Sequence, residues 1–267
     1  MLYSQEINIV QDIKKTSVLW AGLDVLLFLA LWFAVLFVCG AIAGSATSRT
    51  QPQEQAADKG DQGHPVAQLV GQSKHSPIVL LVAFLAAVVA APLVEELLFR
   101  LFLQGWLEAK FMQFHVPCAS GVAIVAVSFF FAAIHGGNSV ALDPQVLFYT
   151  FVVMAMANLL IFALGIFYLV RIRNVRMTHY LFGTGQFVPS RFFTCTGYCF
   201  LALLFIYGLS VVLNMVYPTT NTNPIPIFFL SLLLGTLYSK TQNLSYCILL
   251  HACVNGTSLV LVWLSIQ

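Results

Sequence analysis

Apolar residues run along this chain in long unbroken blocks rather than in alternating patterns. Blocks at roughly 17–44, 77–107, 117–135, 144–170, 192–217, 225–239 and 244–265 stand out. Most approach the ~20 apolar residues that a helix needs to cross a bilayer core. Continuous runs of this kind predict helices, because a transmembrane strand turns only every second residue to lipid. The second block is too long for one perpendicular crossing, so it predicts a helix that tilts, projects or kinks near Pro92. The sixth is short and flanked by proline, which predicts a shallow seat. The first follows Lys14 and Lys15 but far outlasts the apolar core of a signal peptide, which predicts an uncleaved anchor helix. Between the first two blocks, residues 45–76 are rich in Gln, Ser, Gly and Ala with no apolar period, and read as a flexible polar linker.

Composition agrees with the pattern. Of 267 residues, 60% are hydrophobic and 8% charged, against about a quarter charged in a soluble domain. The expected fold is all-α: a polytopic membrane helical bundle of about seven transmembrane helices, forming a single domain over 1–267. A net charge of +2 without any Lys/Arg block argues against nucleic acid as a partner and leaves the lipid bilayer as the surrounding medium. The cysteines form no CxxC pair and most lie in apolar runs, so neither a disulfide framework nor a thiolate metal site is expected. Lys14, Lys15, Lys110, Arg171, Arg173, Arg176, Arg191 and Lys240 fall on one side of the predicted topology, and Arg49, Lys59 and Lys74 on the other. Cationic loops stay inside, which predicts a cytoplasmic N-terminus in a bacterial-type plasma membrane or other cellular membrane.

Charged groups inside the blocks then become the informative ones, because ionisable side chains in hydrocarbon are rare and face a bundle interior. Asp24 lies near the start of the first block, where an interfacial seat is cheap. "PLVEELLFRLF" carries Glu95, Glu96 and Arg100. Glu96 and Arg100 are four apart and meet on one helical face as an internal ion pair. Glu95 points about 100° away and cannot share that geometry. A second buried carboxylate without an evident partner is a candidate general base. In "FFFAAIHGG", Phe131 and His135 share a face, and in "ILLHACVNGTS" so do His251 and Asn255. If these helices converge, a carboxylate and an imidazole can activate water directly or through a metal, and a second His with an Asn can stabilise an oxyanion. That inventory fits amide hydrolysis. Ser128 precedes His135 on the same helix, but nothing pairs the two as nucleophile and base.

The order "EELLFR", "FAAIH", "HACVN" resembles the CPBP family of intramembrane proteases, the CAAX-processing and bacteriocin-processing enzymes also called the ABI family. Its pattern of EExxxR, FxxxH and HxxxN/D matches Glu95, Glu96 and Arg100, then Phe131 and His135, then His251 and Asn255. The resemblance implies an intramembrane endopeptidase acting on a membrane-associated protein or peptide, prenylated CAAX-type or leader-type. It implies Glu95 and His135 as activators of water, His251 and Asn255 as oxyanion stabilisers, and Glu96 as a further site residue. Arg100 and Phe131 would be structural supports. It also implies a divalent metal such as zinc, on Glu95, His135 and His251, or a metal-free glutamate mechanism. Some members act in immunity or regulation, which makes a non-catalytic scaffold the alternative. A proton-coupled transporter would use the same buried groups, but no repeated half is evident. Relative to compact members, residues 140–220 form an inserted two-helix region carrying the basic loop 171–191.

Overall fold

A computed structural model describes residues 22–47, 76–135, 144–174 and 224–266, with a few isolated positions between 197 and 209. Every described element is helical. Helix α1 spans Gly22–Thr47. Helix α2 runs without a break over Pro77–Gln113. After a short turn comes α3, Ala119–His135. Helix α4, Pro144–Phe167, continues through a wide turn at Tyr168–Ile172. Helices α5, Pro224–Thr241, and α6, Leu244–Ile266, complete the bundle. Helix α1 runs three residues into the linker expected at 45–76, and residues 48–75, the basic loop beyond Asn174 and nearly all of the span expected at 192–217 lie outside the described residues.

The bundle sets a cluster of polar groups within its apolar core and turns large apolar side chains outward. Glu95, Glu96, Arg100, Gln104, Ser128, Ser231 and His251 are buried, while Leu23, Leu27, Phe37, Met156, Leu160 and Phe167 are exposed. An aqueous surface does not tolerate that inversion, and a lipid one requires it. Among the described residues, four helices are long and apolar enough to cross a membrane: Pro77–Gln113, Phe148–Ile172, Pro224–Thr241 and Leu244–Leu261. The chain is therefore a polytopic integral membrane protein. The sixth block, for which a shallow seat is expected, forms a helix of 18 residues. Helix α5 is one of these four and packs closely along α3, burying Leu230, Ser231, Leu234, Gly235 and Tyr238. Its flanking prolines fall at the N-terminus, where a missing amide hydrogen is harmless.

Contacts at helix ends fix which ends share a side. Asp24, at the start of α1, accepts from Tyr168 and Arg173 at the end of α4. Gly22 lies against Trp106 near the end of α2, and Ser120 at the start of α3 donates to Glu108 of α2. Those four ends therefore lie together, as strict alternation of crossings demands. Asn243 accepts from the Ser245 amide and caps α6 at the same end.

Near Pro92, where a kink is one expectation, the helix stays continuous and changes its winding. Helix α2 widens into π-helical turns at Leu85–Ala90 and again at Leu97–Gln104, with Glu95 and Glu96 on the short α-helical piece between them. Proline disrupts the turn preceding it, because its ring meets the carbonyl four residues back and it has no amide hydrogen to offer. A widened turn is one way a helix absorbs this, and such turns recur at functional sites.

Candidate active site

Three helices build the site. The middle of α2 supplies Glu95 and Glu96, the last residue of α3 supplies His135, and α6 supplies His251 and, one turn on, Asn255. Helix α3 is only 17 residues long and stops beside the midpoint of α2. His135 thus lies level with Glu95 although it ends its helix.

Each imidazole is held by its Nδ1. That of His135 donates to the Phe131 carbonyl at 2.7 Å, one turn back on α3. That of His251 donates to Glu96 Oε1 at 2.8 Å. These partners fix the tautomers, because a carbonyl and an ion-paired carboxylate only accept. Both Nε2 atoms then turn to Glu95, His135 facing Oε1 and His251 facing Oε2, each at 3.6 Å. Glu95 is therefore not the partnerless carboxylate suggested by the spacing alone; its partners come from two other helices. The His135 side chain is 29% exposed and that of Glu95 12%.

Glu96 and Arg100 are both fully buried. Arg100 Nε donates to Glu96 Oε2 at 3.2 Å and its Nη2 to Ser231 of α5 at 2.8 Å. Glu96 thus joins Arg100 to His251. Phe131 lies against all of this: its ring is 4.2 Å from that of His135 and 6.0 Å from that of His251, with the Arg100 guanidinium 5.7 Å above it. One turn further along α2, Gln104 donates to the Gly235 carbonyl at 3.1 Å. Gly235 permits this approach, since a Cβ there would stand 3.0 Å from both Gln104 and Ile124. The side chain of Asn255 donates to the Ala87 carbonyl at 2.7 Å. Ser128 is buried with no hydrogen-bond partner among the described residues, so it does not form a nucleophile–base pair with His135.

A family model for type II CAAX prenyl endopeptidase Rce1-like proteins matches residues 77–257, which takes in every residue of this site. The chain belongs to the Rce1-like family. It is thus a CAAX-type intramembrane protease in general class, and the expected family is the one found. Among curated proteins and solved structures no match was found.

Sequence reasoning overlooked Gln104 and Ser231. Gln104 carries a legible signal: Glu96, Arg100, Gln104 and Glu108 recur at steps of four. A step of four overshoots a full α-helical turn by about 40°, and the wide turns at Leu97–Gln104 take up part of that drift. Ser231 carries no local signal, since only the packing of α5 on α2 brings it to Arg100.

As a test of the metal expected from the family, Glu95, His135 and His251 have the right donor types for zinc. Among the described residues, however, no three His, Cys, Asp or Glu side chains gather closely enough to hold an ion.

Proposed function

We propose that the protein hydrolyses a peptide bond of a membrane-associated substrate, a prenylated CAAX-type C-terminus being the substrate class, with water directed by Glu95 and His135. One observation carries the reading: two imidazoles, their Nδ1 hydrogens already committed, turn Nε2 towards opposite oxygens of a single carboxylate at 3.6 Å. At 3.6 Å each contact is too long for a direct hydrogen bond, and a neutral imidazole Nε2 beside a carboxylate oxygen is relieved by a donor that reaches both. Water is a donor of the right size and is also the hydrolytic nucleophile.

In this mechanism water donates one hydrogen to Glu95 and the other to His135 Nε2, leaving a lone pair for the scissile carbonyl carbon. As the carbon–oxygen bond forms, Glu95 takes the proton. His251, when protonated on Nε2, donates to the oxyanion while its Nδ1 stays on Glu96. Collapse of the tetrahedral intermediate breaks the carbon–nitrogen bond, and Glu95 returns its proton to the departing amine. Arg100 holds Glu96 in place as the acceptor that orients His251. The chemistry is of the glutamate type. Positive-inside bias supports a cytoplasmic N-terminus, and the Asp24–Arg173 contact supports the same side for the basic residues that follow α4. The plasma membrane is the proposed location.

The test is reconstitution into liposomes with a prenylated CAAX peptide, its unprenylated form, and a leader peptide. The reading expects cleavage of the prenylated peptide alone. Cleavage of the leader peptide instead would keep the mechanism and replace the substrate. No cleavage of any membrane peptide would favour a non-catalytic scaffold.

A further inference from the structure

Asn255 bonds to a carbonyl that lies well away from the two reacting side chains. Its acceptor, Ala87, belongs to the wide turn Leu85–Ala90. Within that turn the Ala91 amide reaches back five residues, to the Ala86 carbonyl. The next carbonyl, that of Ala87, would take its hydrogen from residue 92 in the same pattern, and residue 92 is proline. Proline has no amide hydrogen to give. The orphaned carbonyl lies within the membrane-spanning part of α2, where water is scarce and an unmade hydrogen bond is expensive. The Asn255 carboxamide, at 2.7 Å, supplies the missing donor from α6.

We infer that Asn255 is a positioning residue: it replaces the amide hydrogen that Pro92 lacks and so holds the wide turn that sets the direction of Glu95. The inference rests on the hydrolytic reading of Glu95. A π turn adds one residue to its turn, so loss of the widening would rotate one half of α2 against the other by about 100°. Glu95 stands three residues past Pro92, at the point where such a rotation is felt. Asn255 also stands one turn beyond His251 on the same face of α6, and Ala87 lies on the same side of Glu96 along α2. A single helix face therefore grips α2 twice, on the carboxylate and on the exposed carbonyl. The register of His251 against Glu95 and Glu96 is tied to the register of the turn.

The decisive variant is Pro92→Ala, which restores an amide hydrogen at 92 and makes the donor from α6 redundant. On the prenylated peptide, Asn255→Ala is expected to lower kcat roughly 10- to 100-fold with little change in KM, the signature of misplaced groups. Made in the Pro92→Ala background, the same substitution is expected to change kcat by less than about threefold. Equal losses in both backgrounds would overturn the inference and return Asn255 to direct contact with the substrate. Melting temperatures of the same four proteins in detergent provide a readout that does not need activity. Asn255→Ala should lower the midpoint by roughly 3–9 °C alone, and by about a third of that or less beside Pro92→Ala. A full-sized drop in both backgrounds overturns the inference even if no substrate is cleaved, whereas an inactive wild type with intact coupling overturns only the hydrolytic reading. Pro92→Ser restores the same amide and replaces Pro92→Ala in the cycle if that variant does not fold.

Discussion

Two adjacent glutamates should respond in opposite ways to removal of their charge. Glu96 is fully buried between Arg100 and His251, with its two oxygens on different partners. Replacing it with leucine strips Arg100, also fully buried, of its carboxylate and leaves the guanidinium with Ser231 as its hydrogen-bond acceptor among the described residues. Breaking a buried ion pair from one side costs about 3–5 kcal/mol. For a chain of this size that corresponds to a fall in melting midpoint of roughly 6–20 °C. Removing both partners, as Glu96→Leu with Arg100→Leu, eliminates the stranded charge and should recover more than half of the fall. Glu95→Gln has no such consequence. Its carboxamide can donate to an imidazole Nε2 where the carboxylate could not, so the midpoint should stay within about 2 °C of wild type. The assay is thermal unfolding in detergent, followed by tryptophan fluorescence. The reasoning fails if Glu96→Leu melts with the wild type, or if the double variant melts no higher than the single one.

Other outcomes follow from the same contacts. Gly235→Val should lower the midpoint by several degrees, because even the first carbon would stand 3.0 Å from Gln104 and Ile124; unfolding in detergent checks it. Exchanging the partners as Asp24→Arg with Arg173→Asp should restore most of what either single change loses. The loss itself should be small, because Arg173 is partly exposed and its pairing is screened by solvent; kcat should not move. Exhaustive chelation should leave peptide cleavage intact if Glu95 acts through water alone, with metal analysis of the same sample as the control. Loss on chelation and recovery with zinc would replace the glutamate mechanism by a metal one.

The helices were legible because lipid imposes a long, simple pattern: six of the blocks recur as described helices with boundaries shifted by a few residues. The Glu96–Arg100 pair was legible because both residues sit on one helix at a spacing that forces contact. Glu95 was harder. Its one-residue offset showed that it could not share that pair, but its partners, His135 and His251, come from other helices and no spacing reveals them. The wide turns of α2 escaped because a π turn shifts the apolar period by a single residue, which is invisible in a run where almost every residue is apolar. Pro92 marked the place without its form. Asn255 was legible as a partner of His251 on one face; that it reaches the Ala87 carbonyl depends on how α6 crosses α2. The short reach of α3 also needed the structure, because His135 ends its helix in sequence but lies at mid-bundle in space.

The central claim is that Glu95 handles the proton of the attacking water, and single-turnover cleavage of the prenylated peptide by Glu95→Gln in liposomes tests it most directly. The mechanism predicts no cleavage above background from a variant that melts at the wild-type temperature and still binds the peptide. Cleavage at a rate near wild type would contradict it.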